Sequence, residues 1–249
     1  MHVPDGYLDA ATTAGTAAVA AAGVALALRG ARRELDERTA PMAGLTAAFV
    51  FAVQMMNFPV AFGTSGHLIG GALTAVLVGP WTAVLCMTVV LLVQALVFAD
   101  GGLTALGTNV SLMGLVAVGV GYGAFCALRS VLPAGRTGVL TAAGVGAFLS
   151  VPVAALVFVG LFGLGGVADV PLGSVAAAMG GVHLLIGLGE AAITVAVLGA
   201  VLAVRPDLVR GARHLQRAAA LAPRPDAAGR PAAPNTVAPV AAPADVDAR

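Results

Sequence analysis

The chain has 249 residues, of which 59% are hydrophobic and only 10% are charged, and its mean hydropathy is +0.97. A soluble domain carries roughly 25% charged residues, so this composition excludes a soluble globular protein and predicts an integral membrane protein. The formal net charge is only +1. We therefore expect the protein to lie in the lipid bilayer and to bind no nucleic acid.

The apolar segments predict helices rather than a β-barrel. Backbone polar groups in lipid are satisfied only in helices or closed barrels, and barrel strands need an alternating polarity that these runs of Ala, Val, Leu and Gly lack. Seven apolar segments, the third of them short, occupy residues 10–28, 42–57, 67–79, 81–99, 104–128, 138–162 and 174–204. The sequence therefore predicts an all-α membrane domain over residues 10–205 with seven transmembrane helices.

The thirteen basic residues are all arginines, and their distribution predicts the orientation. Four lie between positions 29 and 38, two at positions 129 and 136, and seven from position 205 onward. Cytoplasmic loops are enriched in basic residues. Seven passes with the N-terminus outside place every arginine in the cytoplasm, whereas six passes would scatter them. We therefore expect a multi-pass protein of the bacterial inner membrane with a cytoplasmic C-terminus.

The composition changes at residue 206, and half of the fourteen prolines lie from Pro206 onward. Such a segment cannot bury a core, so residues 206–249 are predicted to be a cytoplasmic tail that ends in a disordered Pro/Ala-rich stretch. Its first part, in RPDLVRGARHLQRAAA, is predicted to form a short basic helix at the anionic inner leaflet.

The chain begins with a polar hook, MHVPDGYLD at residues 1–9. A secretory signal begins with a basic stretch, whereas this one is acidic, so we expect Met1 to be the first residue of the mature chain. The Met1 amine, the deprotonated His2 amide and His2 Nδ1 can together chelate a metal ion in one plane. His67 is predicted on the same side of the membrane, where it could supply a fourth nitrogen.

Four nitrogens in a square favour Ni(II) or Cu(II) over tetrahedral Zn(II), and binding must release protons from these groups. The alternatives are that the hook is only a polar cap and that His67 is a hydrogen-bonded structural residue. Beside the site or along a metal pathway we expect further polar residues, namely Asn57, Ser65, Asp100, Asn109, His183 and Glu190.

Glu190 is the only charged residue inside a predicted span. Ionisable groups at this depth are costly and usually have a role. His183 lies two helical turns earlier on the same face, which predicts a buried His183–Glu190 hydrogen-bonded pair. The alternative is that Glu190 bonds between helices with Gln54, Gln94 or Asn109.

Nucleotide chemistry is not expected in this chain. The sequence contains no lysine with which to build GxxxxGK, and it contains no GxGxxG. If ATP drives transport, another chain hydrolyses it, and this chain is not an enzyme.

Four sequence blocks resemble the CbiM/NikM family, the substrate-binding membrane components of energy-coupling-factor (ECF) ABC transporters for cobalt and nickel. The blocks are MHVPDGYLD at the start, GTSGHLIGGALTAVLVGP at 63–80, QALVFADGGLTALGTNVSLMG at 94–114 and HLLIGLGEAAITVAVL at 183–198. The resemblance covers residues 1–205 and excludes the tail. It implies seven helices with the N-terminal segment inserted into the bundle.

The resemblance also implies a metal site and partners. The metal would be held by the Met1 amine, the His2 amide and imidazole, and His67. The partners would be a transmembrane coupling subunit, two cytosolic ATPases and a small two-helix accessory protein. The resemblance implies Ni(II) or Co(II) as the substrate, and the PDG of the hook and the isolated GH before LIGG are closer to the nickel members than to the cobalt members.

Two other classes of function remain open from the residues. Gly63-Thr64-Ser65-Gly66 reads GxSG, and with His183 as base it suggests a rhomboid-like intramembrane serine protease. However, Ser65 lies in a Gly-rich surface loop, and the small residues after the histidine are out of register. An ion-coupled secondary metal carrier using Glu190 is the other class. Neither explains the hook.

Overall fold

The computed structural model describes residues 1–37, 39–60 and 64–213, and almost all of its regular structure is helical. In chain order the elements are α1 (Ala10–Ala31), α2 (Thr39–Gln54), β1 (Phe58–Pro59), β2 (Ser65–Gly66), α3 (Gly71–Val78), α4 (Pro80–Val97), α5 (Leu106–Asn109), a π-helical turn (Val110–Val116), α6 (Ala117–Val131), α7 (Arg136–Gly165) and α8 (Leu172–Val204). The strands β1 and β2 form a short antiparallel hairpin in which Phe58 pairs with Gly66.

The predicted helical membrane protein is confirmed in its coarse form. In the described part of the chain, five helices are long and apolar enough to cross a bilayer, namely α1, α4, the continuous run Leu106–Val131, α7 and α8. The helix α2 is apolar but has only 16 residues. The count of seven spans and the orientation of the termini stay predictions.

The third apolar segment is not a helix of spanning length. The helix α3 has eight residues, all buried, and is therefore about 12 Å long at 1.5 Å per residue. It begins at residue 71 rather than 67 because Gly70 has φ +79°, a left-handed conformation outside the helical region. Residues 67–70 therefore run through the bundle as non-helical chain, and they carry His67 to a buried position.

The arginine-bearing segments meet at one end of the bundle. The Glu34 carboxylate accepts a hydrogen bond from Thr82 N at 2.8 Å at the start of α4. Arg210 Nη1 donates to Glu34 O at 3.2 Å, and Arg136 Nη2 donates to Gly199 O at 2.7 Å. The loop after α1, the start of α7 and the end of α8 are thus neighbours, as the distribution of arginines predicts.

The segment after α8 differs from the predicted single basic helix. As far as residue 213 it forms two 3-10 turns, Pro206–Leu208 and Arg210–Ala212. Val209 and Ala212 are fully buried, so these turns pack against the protein as well as carrying arginines. The rest of the predicted helix and the Pro/Ala stretch lie outside the described residues.

Candidate metal centre

The hook enters the bundle and is almost completely buried at its tip. Met1, His2 and Val3 are 1%, 4% and 1% exposed. Asn109 holds Val3 like a neighbouring strand: Val3 N donates to Asn109 Oδ1 at 2.8 Å, and Asn109 Nδ2 donates to Val3 O at 3.1 Å. Gly102 N also donates to Val3 O at 3.0 Å. The buried main chain of Val3 is thus satisfied on both sides.

The second half of the hook is tied to two other loops. Asp5 Oδ1 accepts hydrogen bonds from the main chain and hydroxyl of Thr104, which lower the pKa of that carboxyl, the hydroxyl contributing most. Leu8 pairs with Gly166 in an isolated antiparallel bridge. The Tyr7 ring lies 5.4 Å from that of Phe162. The position of Met1 is therefore fixed by contacts along the whole hook.

Two glycines of the turn after α4 allow the hook to fit. Gly101 has φ +89°, and a Cβ there would lie 3.0 Å from His2 Cδ2. A Cβ on Gly102 would lie 2.4 Å from Asp5 N. The glycines of the DGGLT block are thus explained by the close approach of the hook.

The predicted partners His2 and His67 lie together in the structure. Their rings are stacked, with centroids 4.4 Å apart and planes inclined by 29°. His67 is 1% exposed. The hairpin before it also contributes, because His2 N lies 3.4 Å from Ser65 Oγ, to which it donates.

Hydrogen bonds leave one nitrogen of each ring available. His2 Nε2 lies 3.2 Å from Gln94 Oε1, and because a carbonyl oxygen only accepts, this nitrogen carries the proton and Nδ1 keeps its lone pair. His67 Nδ1 donates to Leu68 O at 2.8 Å, which leaves Nε2 as the lone-pair nitrogen. Within the described residues, neither His2 Nδ1 nor His67 Nε2 has a hydrogen-bond partner. Metal-binding histidines are typically oriented in this way through their other nitrogen.

Burial favours the neutral forms of the donor groups of the hook. It lowers the pKa of the Met1 amine well below its usual value, an effect that Asp100 opposes. It also lowers the pKa of His2 to about 3, with the neighbouring amine acting in the same direction and the hydrogen bond to Gln94 opposing it. Neutral amine and imidazole are the forms that bind metals.

Asp100 lies beside His2. Its Oδ1 is 3.3 Å from His2 Nδ1, and its Oδ2 accepts a hydrogen bond from Asn57 Nδ2 at 2.8 Å. Burial raises the pKa of Asp100, while the bond from Asn57 and the Met1 amine lower it. The predicted residues Asn57, Ser65, Asp100 and Asn109 thus all lie around the hook.

Side chains alone do not complete a metal site here. Over residues 1–37, 39–60 and 64–213, no group of three or more His, Cys, Asp or Glu side chains is placed to hold a metal ion. The chelate predicted from the sequence needs only two imidazoles, because its other donors are the Met1 amine and the His2 amide. Of that set, the structure brings the two imidazoles together.

The predicted His183–Glu190 pair is wrong. His183 Nδ1 donates to Met179 O at 2.8 Å, and the Glu190 carboxylate accepts instead from Ile69 N and Gly70 N at 2.8 and 2.6 Å. The alternative, a hydrogen bond from Glu190 to Gln54, Gln94 or Asn109, does not describe these contacts either, because both donors are main-chain groups. Glu190 therefore acts on the segment that carries His67.

His183 lies near the site without joining it directly. It is fully buried, its Nε2 has no hydrogen-bond partner in the described part of the chain, and Val182 and Ile186 of the same helix line one cavity together with His67. Ser65 Oγ accepts from His2 N and His183 bonds within its own helix, so these hydrogen bonds do not supply Ser65 with the histidine base of a serine protease.

Sequence reasoning missed the role of two glutamines. Gln94 orients His2, and Gln54 Nε2 donates to Ile69 O at 2.6 Å. Both are completely buried. A glutamine inside an apolar span was the available signal, since such a residue must find a partner in the bundle.

Comparisons with known proteins agree with this geometry. The family model CbiM, described as the cobalt uptake substrate-specific transmembrane region, matches residues 2–208. A protein of Archaeoglobus fulgidus described as a fused nickel transport protein NikMN is 39% identical over 220 residues, covering 84% of this chain and 68% of that one. The cobalt transport protein CbiM of Sorangium cellulosum is 39% identical over 213 residues, covering 84% of this chain and 94% of its own.

A solved structure has the same fold. The crystal structure of a transition metal transporter superposes with a TM-score of 0.76 at 31% identity, covering 82% of this chain and 93% of that chain. The family match and the five apolar helices identify a multi-pass protein of the inner membrane. Because the family model matches residues 2–208, which include the hook from His2 onward and the helices α1 to α8, the chain belongs to the CbiM family of metal transport membrane components.

Proposed function

We propose that the chain is the substrate-binding component of an ECF-type ABC importer for Ni(II) or Co(II). The observation that carries the proposal is the buried N-terminus, at which His2 and His67 stack 4.4 Å apart and each keeps one free nitrogen. Two buried imidazole nitrogens without a hydrogen bond are costly in an apolar interior unless a ligand pairs with them, so their presence supports a bound metal.

The proposed ligands are the Met1 amine, the His2 amide nitrogen, His2 Nδ1 and His67 Nε2. The first three nitrogens belong to two consecutive residues, Met1 and His2, and they form fused chelate rings with the metal. Such rings favour a square-planar arrangement. The amide proton of His2 must leave on binding, so the metal competes with protons. A divalent ion with one amide anion leaves a net charge of +1, and the Asp100 carboxylate 3.3 Å from His2 Nδ1 supplies the compensating charge.

The relatives support the two metals in different ways. One is described as a nickel transport protein and another as a cobalt transport protein. A planar set of four nitrogens suits Ni(II) especially well, and the PDG and GH features of the sequence favour the same ion. We therefore propose Ni(II) as the first metal to test and Co(II) as the second.

The energy for import would come from other chains. This sequence has no lysine and no nucleotide-binding motif, so ATP hydrolysis is assigned to two cytosolic ATPase partners acting through a transmembrane coupling subunit. A small two-helix accessory protein completes the proposed assembly. An ion-coupled carrier is less well supported, because both oxygens of Glu190 already accept main-chain hydrogen bonds.

The experiment that tests the site is a two-residue extension. Two alanines before Met1 convert its amine into an amide while Met1, His2 and His67 all remain; one alanine would not serve, because an amine, two amides and the imidazole of a third residue form a planar four-nitrogen chelate by themselves. We expect the purified extended protein to lose stoichiometric Ni(II) and Co(II), measured by mass spectrometry, with its helical circular dichroism unchanged. The matched control carries the same two alanines after Arg249 and should bind normally. Full occupancy in the protein extended before Met1 would refute the site.

A further inference from the structure

Glu190 makes an unusual contact for a carboxylate in a membrane helix. It is 2% exposed, and each of its oxygens accepts one consecutive main-chain N–H, Oε2 from Ile69 at 2.8 Å and Oε1 from Gly70 at 2.6 Å. Short hydrogen bonds to an ionised acceptor are about twice as strong as neutral ones. The carboxylate thus fixes two adjacent peptides that lie about 120 positions earlier in the chain.

The clamped peptides need an external partner. They precede the first turn of α3, where main-chain N–H groups have no intrahelical acceptor, and the residue before that helix, Gly70, provides no side-chain cap. No water is available in the apolar interior to replace such a partner. A cavity of about 10 Å³ beside the carboxylate has room for one water at most. Glu190 therefore supplies the cap from another helix.

The same segment is held from its opposite side. Gln54 Nε2, on α2, donates to Ile69 O at 2.6 Å. The peptide groups of Ile69 are thereby fixed by α2 through their oxygen and by α8 through their nitrogen. Two residues earlier, His67 Nδ1 donates to Leu68 O at 2.8 Å, so its ring is oriented by a carbonyl of the clamped segment.

We propose that Glu190 is a positioning residue for metal binding: it holds the segment 67–70 so that the His67 ring stays stacked on His2 with its Nε2 available. This inference rests on the proposed function, and it assigns Glu190 no contact with the metal and no place in an ion path. The carboxylate acts only through the peptides of Ile69 and Gly70.

Glu190→Gln is the main test, because the amide keeps one acceptor oxygen and turns an NH2 group toward the other N–H. We expect Ni(II) affinity to fall about ten- to one-hundred-fold, the usual effect of losing a group that orients a metal ligand. The visible absorption of the Ni(II) complex should shift toward that of His67→Ala, because the fourth nitrogen is misplaced. The measurements are Ni(II) titration and absorption of the full chain in nanodiscs.

Glu34→Gln is the matched control. Glu34 is also a buried carboxylate, 5% exposed, and its Oε2 accepts from the N and Oγ1 of Thr82 at the start of α4, but it lies at the arginine end of the bundle. A general loss of stability would affect both variants alike. The proposal expects unchanged Ni(II) affinity and absorption in Glu34→Gln.

A double-mutant cycle separates positioning from stability. If Glu190 acts through His67, Glu190→Gln should change affinity less than about twofold in a His67→Ala background, because coupled residues are non-additive. Additive losses of Ni(II) affinity from the two substitutions overturn the proposal. An absorption band of Glu190→Gln identical to that of the wild type also overturns it, and this second test applies even where His67→Ala binds too weakly to titrate. If Glu190→Gln does not fold, Glu190→Asp gives the same comparison, since it keeps both acceptors but is one methylene shorter.

The failure of this proposal is distinct from failure of the proposed function. Wild-type protein that binds neither Ni(II) nor Co(II) overturns both. Wild-type binding with additive or absent effects of Glu190 overturns only the positioning role.

Discussion

Asn109→Leu tests whether docking of the hook creates the metal site. Asn109 makes two hydrogen bonds with the buried main chain of Val3, at 2.8 and 3.1 Å. Leucine is close in size, so the substitution removes the hydrogen bonds with little change in volume. Val3 O would keep its bond from Gly102 N at 3.0 Å, whereas Val3 N would be left buried without an acceptor.

The expected loss of docking free energy follows from these two hydrogen bonds. An orphaned buried N–H costs about 1–3 kcal/mol, and the second lost hydrogen bond costs about 0.5–1.5 kcal/mol. The docked hook should therefore be destabilised by about 2–4 kcal/mol, which is about 30- to 700-fold in the docking equilibrium. If the site exists only in the docked state, metal affinity falls by the same factor once the undocked state dominates.

Two measurements check this result. Hydroxyl-radical footprinting of Met1, which is 1% exposed in the docked state, reports undocking, and Ni(II) titration reports affinity. Ser150→Ala is a suitable control, since Ser150 is fully buried in α7 and bonds to Ala147 O of its own helix. Unchanged Ni(II) affinity in Asn109→Leu together with increased oxidation of Met1 would show that docking is not required, and would refute the reasoning.

The remaining predictions concern the donor set and pH. His67→Ala should weaken Ni(II) binding through loss of the fourth nitrogen, whereas Ser65→Ala should be almost silent because the contact of Ser65 Oγ with His2 N is long, at 3.4 Å; titration of both variants checks this, and equal losses would contradict it. In metal-free protein, the pKa of His2 falls from 6.5 to about 3 on docking, so the undocked hook binds the extra proton. The Met1 amine, whose pKa docking also lowers from 8.0, extends this dependence to higher pH. Docking should therefore weaken as pH falls from 8 toward 3, and Met1 footprinting that stays constant over this range would contradict the assignment.

The helices could be predicted from the sequence because hydropathy and the positions of the arginines are local signals. Five apolar runs became helices of spanning length, and the grouping of arginines at one end agrees with contacts such as Arg210 to Glu34. The start of α3 was misjudged because LIGG reads as the continuation of an apolar run. Only the left-handed conformation of Gly70, set by its neighbours, ends the non-helical segment at that residue.

The part of the site that could be predicted from the sequence is the part that depends on residue type and position in the chain. His2 next to the N-terminus and His67 after a glycine loop were identified in this way, and they lie together. The partners of Glu190 could not be found by pattern, since Ile69 and Gly70 contribute main-chain atoms that any residue type other than proline could supply. Helical periodicity predicts His183 as the partner of Glu190 because it compares side chains within one helix. The actual contact of Glu190 joins α8 to a distant segment of the chain.

The geometry couples metal binding to hook docking. Three of the proposed donors travel with the hook, and the fourth, His67, is fixed in the bundle by the segment that Glu190 and Gln54 hold. An undocked hook offers three nitrogens at most, and only the docked hook offers four. By linkage, the factor by which docking strengthens metal binding equals the factor by which the metal stabilises docking. With the proposed donor set, any interaction that withdraws the hook or displaces the 67–70 segment therefore weakens metal binding.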